Sequence, residues 1–576
     1  MIEKKKNKEP VRIGVFVCHC GTNIGGIINC KELAEYARIL PSVVFSEDNL
    51  YTCSETGLTA IKKAIEDFKL NRIVVASCTP RTHEPLFREC ISSVGLNPYL
   101  FNFVNIREQC SWVHMEHPNA AFEKAKDLIR MGVAKAIKLQ PLEMIKISIN
   151  QGAAVIGGGI SGMNAALSLS KQGFTTYLVE KEDVLGGRLN TLYKLFPHDI
   201  EATELLEDVK TKVYNSDNLT VYTKARIKSV GGYIGNYDVE IEKEDKIIEL
   251  KIGTIIVAVG ASLFTPNNLF RYDGKKRITQ NECEGKLKEN ETIPNNVVMI
   301  QCAGSRNEER PYCSSVCCMT ALKNALILKE RNPGVNVSIL FRDLYTLGTY
   351  EDYYRRAREK GIIFIKYDGD ILPIIEEDQV KVRNEYIGKE MIISYDLLIL
   401  STPLIANNDN KELSQMLKVP LESNNFFLEA HVKLRPIDFA TDGIFVCGSA
   451  KWPVDVSESI VQGLAAASRA STIISKEEIE ISGSIAEIKK DKCIGCGDCR
   501  DACVYNAIEI IEDRIEFTAL RDSVIPSAAL IRHKSKVLPA LCKGCGVCVG
   551  ICPVGALSLK NFTNDQLDVQ IESYLS

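Results

Sequence analysis

Cysteine is the residue type whose number and spacing point most directly to chemistry. The chain has 576 residues and 21 cysteines, and two closely spaced cysteine runs lie near its carboxyl end. They read Cys493-x2-Cys496-x2-Cys499-x3-Cys503 and Cys542-x2-Cys545-x2-Cys548-x3-Cys552-Pro553. Three thiolates at this spacing can wrap one corner of a 4Fe-4S cube, and the fourth ligand then comes from the other run. The spacing therefore predicts two 4Fe-4S clusters that exchange single electrons.

The crossing rule assigns the ligands of each cluster. One cluster takes Cys493, Cys496, Cys499 and Cys552, and the other takes Cys542, Cys545, Cys548 and Cys503. The alternative is a pair of structural zinc sites, which usually use two separated CxxC pairs. Three-step runs that end in x3-Cys favour the iron–sulfur interpretation, although Val504 stands where the first run would usually have proline.

A glycine-rich segment in the middle of the chain forms a second candidate site. A short apolar strand leads into Gly157-x-Gly159-x-x-Gly162, a helical pattern follows, and a second strand ends at Glu180. In this fingerprint the first glycine makes a tight turn, the second lets the backbone approach a pyrophosphate, and the third allows close helix packing. The terminal acid binds a ribose hydroxyl. The alternative is a glycine turn without a ligand, but the complete pattern favours a dinucleotide.

Later motifs indicate that the dinucleotide is FAD. Residues 185–188, Leu-Gly-Gly-Arg, resemble the second flavin motif of flavoproteins with two dinucleotide domains, and an apolar strand ends at Gly260. Gly448 and Ser449 precede a predicted helix over residues 459–470, whose positive amino end would stabilise charge on a reduced flavin. The predicted FAD contacts are Gly157, Gly159, Gly162, Glu180, Lys181, Gly187, Arg188, Gly260, Gly448 and Ser449.

The region of residues 296–345 resembles an inserted second dinucleotide domain, but its first strand runs into Cys302 instead of a glycine fingerprint. A nicotinamide site is therefore not expected there. Cys313, Cys317 and Cys318 follow, and strain disfavours a disulfide between sequence neighbours. We predict a third 4Fe-4S cluster on these four cysteines. A zinc site or a redox-active thiol pair is the alternative.

Strand and helix patterns alternate over residues 11–136, which predicts a small parallel sheet. Five cysteines follow its strands at the carboxyl edge, where such sheets bind ligands. They are Cys18, Cys20, Cys53, Cys78 and Cys110. We predict another cluster on Cys20, Cys53, Cys78 and Cys110, with Cys18 as the competing ligand. A set of buried thiols without metal is the alternative.

Length and composition bound the remaining possibilities. The length suggests about four domains. Lys plus Arg (70) nearly balances Asp plus Glu (74), so the charge gives no reason to expect nucleic acid as a partner. No apolar run approaches a membrane span, and many cysteines without a secretion signal suggest a reducing cytoplasm. The predicted domains cover residues 1–147 (cluster-binding α/β), 148–295 (FAD, first part), 296–405 (insertion with a cluster), 406–480 (FAD, second part) and 481–576 (two clusters).

Nearly the whole chain resembles the A subunits of heterodisulfide reductases and their bacterial homologues. The resemblance rests on Cys18-His-Cys-Gly21, on residues 76–87 and 107–112, on the FAD fingerprint, on residues 302–318, on Gly448-Ser-Ala and on the terminal cysteine runs. It implies an α/β fold, with a thioredoxin-reductase-like flavoprotein core of two dinucleotide domains. An N-terminal α/β domain and a C-terminal ferredoxin domain with two clusters complete this expected architecture.

The resemblance also implies an oxidoreductase that acts with partner subunits. A flavin would divide electrons from a two-electron donor between a disulfide branch and ferredoxin. The implied partners are the B and C subunits of heterodisulfide reductase or their homologues, a hydrogenase or formate dehydrogenase input subunit, ferredoxin, and a second copy of the chain within a larger complex. Many members carry an extra ferredoxin inserted in the flavin domain, whereas residues 190–250 contain no cysteine here.

Lys323 is the residue that the resemblance implies next to the flavin, where it would stabilise the anionic reduced form. The alternative for Lys323 is a solvated surface charge. Two other functions stay open at this point. One is a stand-alone NAD(P)H-dependent oxidoreductase, and the other is a non-catalytic protein that only connects clusters.

Overall fold

The computed structural model describes residues 9–292, 294–516 and 529–576. Within these, the chain forms two compact units, one made of Met1–Lys146 with Glu480–Ser576 and the other of Ile147–Ile479. Two short strands, Ile145–Ser148 and Glu478–Ile481, lie where the chain passes from one unit to the other.

The Ile147–Ile479 unit contains a five-stranded parallel sheet that carries the glycine fingerprint. Its strands lie in the order Leu219–Tyr222, Thr175–Val179, Gly152–Ile156, Thr254–Val257 and Ile444–Val446. The three central strands are almost wholly buried, as expected of parallel strands covered on both faces. Helices Ile160–Lys171 and Val456–Ile474 cover one face. The other face packs on an antiparallel sheet of Ala225–Tyr233, Asn236–Lys243 and Lys246–Ile252.

A second five-stranded parallel sheet is inserted into the same unit. Its strands lie in the order Arg277–Thr279, Leu397–Leu400, Asn296–Ile300, Asn336–Phe341 and Ile363–Lys366. Helices Cys317–Arg331 and Glu351–Glu359 pack on one face, and the strands Ile374–Ile375, Gln379–Asn384 and Lys389–Ser394 pack on the other. The two sheets form the flavoprotein core with two dinucleotide domains that the sequence predicts.

The chain crosses between these sheets through two short strands, Ser262–Leu263 and Leu404–Ile405, which pair antiparallel. Both crossings therefore run side by side. The other elements of the unit are helices Ala202–Tyr214, Gln280–Lys288 and Asn410–Leu417, strands Lys194–Leu195 and Ile200–Glu201, and 3-10 helices Gly187–Thr191, Gly348–Tyr350 and Gly448–Ala450.

In the other unit, the N-terminal segment forms the predicted small parallel sheet. Its strands lie in the order Val43–Asn49, Ile13–Cys18, Arg72–Ser77 and Phe101–Asn105. Its helices are Thr22–Gly25, Cys30–Arg38, Glu55–Phe68, Pro80–Ser92 and Pro118–Ile137, with a π-helix at Arg107–Ser111. The helix Pro118–Ile137 begins with a proline, a residue favoured at the first helical position, and the π-helix ends a few residues before it.

The C-terminal segment of this unit is built around two short antiparallel pairs. Ala486–Ile488 pairs with Leu557–Leu559, and Ile508–Glu516 pairs with Ala529–Val537. Its helices are Asp498–Asp501, Val547–Ile551 and Asn564–Leu575. Each of the first two begins directly after a glycine with left-handed backbone, Gly497 (φ +93°) or Gly546 (φ +79°).

Candidate flavin and iron–sulfur sites

The glycines of the fingerprint lie between the strand Gly152–Ile156 and the helix Ile160–Lys171. Gly157 has φ +109°, and a Cβ built on it would lie 2.4 Å from a backbone carbonyl oxygen. A Cβ on Gly162 would lie 1.9 Å from the Gly157 carbonyl oxygen. In the described chain, no atom lies within 4 Å of a Cβ built on Gly159. Two glycines thus permit close packing, and the third borders open space at the amino end of a helix, where a pyrophosphate fits.

Glu180 is held against the glycine turn. Its buried carboxylate accepts hydrogen bonds from the backbone N–H groups of Gly158 at 2.6 Å and Glu182 at 2.9 Å. Lys181, also predicted to contact the cofactor, is exposed and forms a 3.0 Å ion pair with Asp409. Glu180 therefore lies at the fingerprint, whereas the charge of Lys181 is paired with Asp409.

The second glycine motif packs directly on the first. The Gly186 N–H donates to the Gly158 carbonyl oxygen at 2.9 Å, and a Cβ on Gly187 would lie 3.3 Å from the Gly159 Cα. Both residues of the glycine pair have positive φ, +118° and +52°. Arg188 comes next, so its side chain begins beside the fingerprint.

The remaining predicted flavin contacts lie at two strand ends. Gly260 has φ +69°, and a Cβ there would meet no atom of the described residues within 4 Å. Gly448 approaches the fingerprint helix so closely that a Cβ would lie 2.2 Å from the Ser161 Oγ. The Ser449 hydroxyl donates to a backbone carbonyl of its own turn at 3.3 Å. The following helix begins at Val456, somewhat earlier than the sequence pattern indicates.

Cysteines of both C-terminal runs line the same two spaces. A space of about 300 Å³ is lined by the first predicted set, Cys493, Cys496, Cys499 and Cys552. A second space of about 360 Å³ is lined by the other set, Cys503, Cys542, Cys545 and Cys548. The ligand assignment remains a prediction, and the shared spaces support it.

Backbone N–H groups point at the sulfur atoms of these runs. Ala507 donates to the Cys503 Sγ at 3.3 Å, and Ala556 donates to the Cys552 Sγ at 3.2 Å. Burial raises the pKa of the Cys493 thiol, but hydrogen bonds, first from the Ser535 backbone N–H, outweigh it and leave that pKa below its ordinary value. Such donors stabilise thiolates, which are the form that binds iron.

The four cysteines predicted to bind the third cluster also lie together. Burial raises the pKa of Cys317 well above its ordinary value, and Cys318, Cys302 and Cys313 raise it further. Burial raises the pKa of Cys318 to about 12, with Cys302 and Cys313 again contributing. Thiolates placed this close together would repel one another, and the positive charge of a bound metal would offset that repulsion and favour the deprotonated form.

A buried amide next to Cys302 also fits a bound group. Gln301 is fully buried, yet within the described residues neither polar atom of its side chain has a hydrogen-bond partner. An unpaired amide in an apolar environment costs roughly 2–7 kcal/mol. A cluster at Cys302 would supply nearby acceptors, so the donor set and its surroundings fit an iron–sulfur site.

The N-terminal thiol group differs from the predicted set. Burial raises the pKa of Cys53, and the nearby Cys18 raises it further. Burial also raises the pKa of Cys78, with smaller contributions from Cys20 and Cys18. The Cys110 Sγ instead donates to a helix carbonyl at 3.0 Å, and burial raises its pKa to about 11 without a contribution from another cysteine. These contacts favour Cys18 over Cys110 as the fourth ligand, and the predicted set of Cys20, Cys53, Cys78 and either Cys110 or Cys18 stays a prediction.

Lys323 is buried in an ion pair that the sequence did not reveal. Its Nζ contacts the Glu284 carboxylate and donates to the Lys194 carbonyl oxygen at 2.9 Å, and the two charged side chains are only 2% and 1% exposed. Burial lowers the pKa of Lys323, and Glu284 opposes this shift. The alternative of a solvated surface charge is excluded, but the charge of Lys323 is already balanced.

Neither a site for a single metal ion nor a membrane-spanning helix occurs among the described residues. Among residues 9–292, 294–516 and 529–576, no group of three or more His, Cys, Asp or Glu side chains is arranged to hold a single metal ion. No helix in the described part of the chain is long and apolar enough to cross a membrane.

Known proteins similar to the chain cover almost its whole length. Residues 152–300 match the family model described as pyridine nucleotide-disulphide oxidoreductase, and residues 492–556 match that of the 4Fe-4S dicluster domain. The iron-sulfur A subunit of a CoB--CoM heterodisulfide reductase of Methanopyrus kandleri is 37% identical over 605 residues, which cover 88% of this chain and 92% of that protein. The chain belongs to the heterodisulfide reductase A-subunit family. It is therefore an oxidoreductase, an iron–sulfur flavoprotein that binds FAD and 4Fe-4S clusters and serves as an electron-transfer subunit.

A second member of the heterodisulfide reductase A-subunit family extends the comparison. The A subunit of the H(2):CoB-CoM heterodisulfide,ferredoxin reductase of Methanothermobacter marburgensis is 37% identical, over 88% of this chain and 92% of that protein. Among solved structures, a thioredoxin reductase of Lactococcus lactis is 19% identical, covers 56% of this chain and 99% of that chain, and has a TM-score of 0.41.

Proposed function

We propose that the chain divides pairs of electrons between two one-electron routes, linking a two-electron donor to a disulfide branch and to ferredoxin. One observation carries the proposal. A space of about 380 Å³, here called the chamber, is lined by Arg188 of the second flavin motif and by Cys317 of the predicted third cluster. When bound, FAD exchanges two electrons or one, whereas a 4Fe-4S cluster exchanges one. A one-electron site thus borders the region where the flavin is expected.

The chain's own residues hold these groups in fixed positions. The fingerprint glycines leave room for a pyrophosphate, and Glu180 lies at their edge to accept a ribose hydroxyl. Gln280, Asn281 and Thr320 add polar groups to the wall of the chamber. Paired parallel strands and buried helices fix both walls, which is the rigidity that a site for electron exchange requires.

The inserted sheet lacks the feature that a nicotinamide donor requires. Its strand Asn296–Ile300 runs into a turn at Cys302, which has φ +60°, where dinucleotide domains place a glycine loop. This supports delivery of electrons by a partner protein rather than by NAD(P)H. The proposed partners are homologues of the B and C subunits of heterodisulfide reductase, a hydrogenase or formate dehydrogenase subunit, ferredoxin, and a second copy of the chain. The name of the M. marburgensis relative joins hydrogen, a heterodisulfide and ferredoxin in the same way.

Coupled reduction tests the proposal. The chain is purified without oxygen together with its partners, and ferredoxin reduction is followed with the donor of the copurified input subunit, with and without a disulfide acceptor. We expect ferredoxin to be reduced only while the disulfide is also reduced. Equal ferredoxin reduction without the disulfide contradicts the proposed division of electrons.

A reductive titration of the isolated chain separates the other two functions. Rapid bleaching of the flavin by NADH would establish a stand-alone NAD(P)H oxidoreductase. A flavin that dithionite and every partner donor leave oxidised would indicate a protein that only connects clusters. We expect bleaching by dithionite and by the copurified donor subunit, and none by NADH.

A further inference from the structure

Three charged side chains of the Ile147–Ile479 unit influence one another, and two of them, Lys323 and Glu284, form an ion pair. Lys323 and Glu284 form a buried pair, and the Glu284 carboxylate also accepts the backbone N–H of Tyr193 at 2.7 Å. Each member of this pair thus has its own partner. The pair is neutral as a whole and is held by backbone hydrogen bonds.

Arg188 is the third charge, and its surroundings differ. The residue is partly buried, and its Nε is shielded from solvent without a hydrogen-bond partner among the described residues. Burial lowers the pKa of Arg188, while Cys317 and Glu284 oppose this shift. A shielded guanidinium nitrogen without an acceptor costs free energy unless a bound group completes its hydrogen bonds.

The lining of the chamber indicates what kind of group would complete the hydrogen bonds of Arg188. Arg188 and Cys317 both line it, together with the uncharged polar residues Gln280, Asn281 and Thr402. The Cys317 thiol donates to the Thr402 carbonyl oxygen at 3.4 Å, so the cysteine is fixed at the wall. No carboxylate belongs to the described residues that line this space. The net charge facing the chamber is therefore positive.

We infer that Arg188, and not Lys323, supplies the positive charge that stabilises electrons at the chamber, both on the bound flavin and on a cluster held by Cys317. The inference rests on the proposed function, because it requires both groups. Its physical basis is that an added electron is favoured near an uncompensated cation and gains little from a neutral ion pair. Arginine suits this role because it stays protonated when desolvated.

Potentiometric titration of the purified holoprotein tests the inference, with flavin absorbance and the EPR signals of the clusters as readouts. We expect Arg188→Gln to lower the midpoint potential of the flavin and of the cluster at Cys317. Arg188→Lys keeps a positive charge and should restore both potentials toward their original values. Arg226→Gln removes an exposed arginine of the strand Ala225–Tyr233 and should shift neither.

A double variant separates Arg188 from the buried pair. Glu284→Gln with Lys323→Gln removes one charge of each sign, so the net charge near the chamber is kept. We expect its flavin potential to stay near the original value. The inference is overturned if Arg188→Gln leaves both potentials unchanged, or if the double variant lowers them as much as Arg188→Gln does.

If the Arg188→Gln protein loses its flavin, the flavin potential of the Arg188→Lys protein tests the inference instead. A bound flavin at its original potential in Arg188→Lys supports the inference, and a lowered potential overturns it. Failure of the underlying function looks different, because the unchanged protein would then lack FAD or the iron expected at Cys317. In that case FAD or iron is missing from the protein whichever residue occupies position 188.

Discussion

The C-terminal cysteine runs and the Cys302–Cys318 group are two thiol-rich regions that fold by different rules. In the runs, left-handed glycines such as Gly495 shape the turns and several sulfur atoms accept backbone N–H groups, as at Cys503, although burial raises the pKa of Cys548 to about 11. In the other group, burial dominates and raises the pKa of Cys318 to about 12. Backbone donors help to stabilise thiolates in the first region, and we expect the second region to need a bound metal to stay deprotonated. The difference teaches that a thiol group set by sequence spacing and one assembled by tertiary packing leave different traces in a sequence.

The largest expected effect tests whether the second region binds a cluster at all. Cys317→Ala should lose roughly four iron and four sulfide ions per chain and keep its FAD, because one 4Fe-4S cube needs all its thiolates. Iron, sulfide and flavin analysis of anaerobic protein measures this. Cys90→Ala, which removes a buried thiol that donates to a carbonyl oxygen at 3.5 Å, serves as the control and should lose none. An unchanged iron content in Cys317→Ala would instead favour a redox-active thiol pair.

A second prediction concerns loss of a cluster from the N-terminal sheet. Cys18→Ala should lose one cluster, because the Cys18 Sγ accepts backbone N–H groups of Cys20 at 3.3 Å and Thr52 at 3.4 Å within the thiol group. Cys110→Ala should keep that cluster and lose only about 1 kcal/mol of stability. Iron content and thermal unfolding measure the two effects. The opposite pattern would restore Cys110 as the ligand.

Smaller effects sharpen the contrast between hydrogen bonds and charge as controls of cluster potential. The Ser535 Oγ lies 3.3 Å from the Cys499 Sγ, and Ser535→Ala should lower the potential of that cluster by the equivalent of about 1 kcal/mol or less. Burial raises the pKa of Cys302 and the hydrogen-bonded Arg306 opposes this shift, so Arg306→Gln should lower the potential of its cluster more. EPR-monitored titration compares the two. Equal shifts would show that charge has no special role in the buried region.

The smallest effect concerns pH and the unit that carries the C-terminal runs. The Lys135 Nζ lies 3.7 Å from the centre of the Phe562 ring, and burial lowers the pKa of Lys135 to about 8. Unfolded lysine titrates near 10.4, so between these values the unfolded chain binds more protons and stability rises with pH. The full difference corresponds to about 3 kcal/mol, and solvent screening of this partly exposed side chain reduces the expected rise to on the order of 1 kcal/mol. Lys135→Met should abolish this rise. Urea midpoints at pH 7 and pH 10 measure it by Trp112 fluorescence in a Trp452→Phe background. A rise that persists in Lys135→Met would assign it to other groups.

The sequence predicts most of what depends on local spacing. The crossed thiol sets of the C-terminal runs follow from a rule about the reach of neighbouring ligands, and the glycine fingerprint follows from backbone sterics. The structure places the residues of each pattern close together, and their roles as ligands stay predictions.

Two features that spacing does not predict depend on packing instead. Cys110 follows the strand that was predicted, but it lies in the π-helix Arg107–Ser111, which turns its sulfur toward a carbonyl of the next helix. Glu284 lies 39 positions before Lys323 and meets it only because the helices Gln280–Lys288 and Cys317–Arg331 pack together. A spacing rule contains no information about such side-chain directions or about contacts between helices.

The side-by-side crossings Ser262–Leu263 and Leu404–Ile405 have a mechanical consequence. Leu263 and Leu404 pair in this ribbon, and both also line the chamber. A two-stranded ribbon bends more readily than it stretches, so a rocking of the inserted sheet about this ribbon would move these two leucines. Such a movement would change the distance between Arg188 and Cys317. A bulkier or smaller side chain at either leucine would then change the distance that an electron must travel.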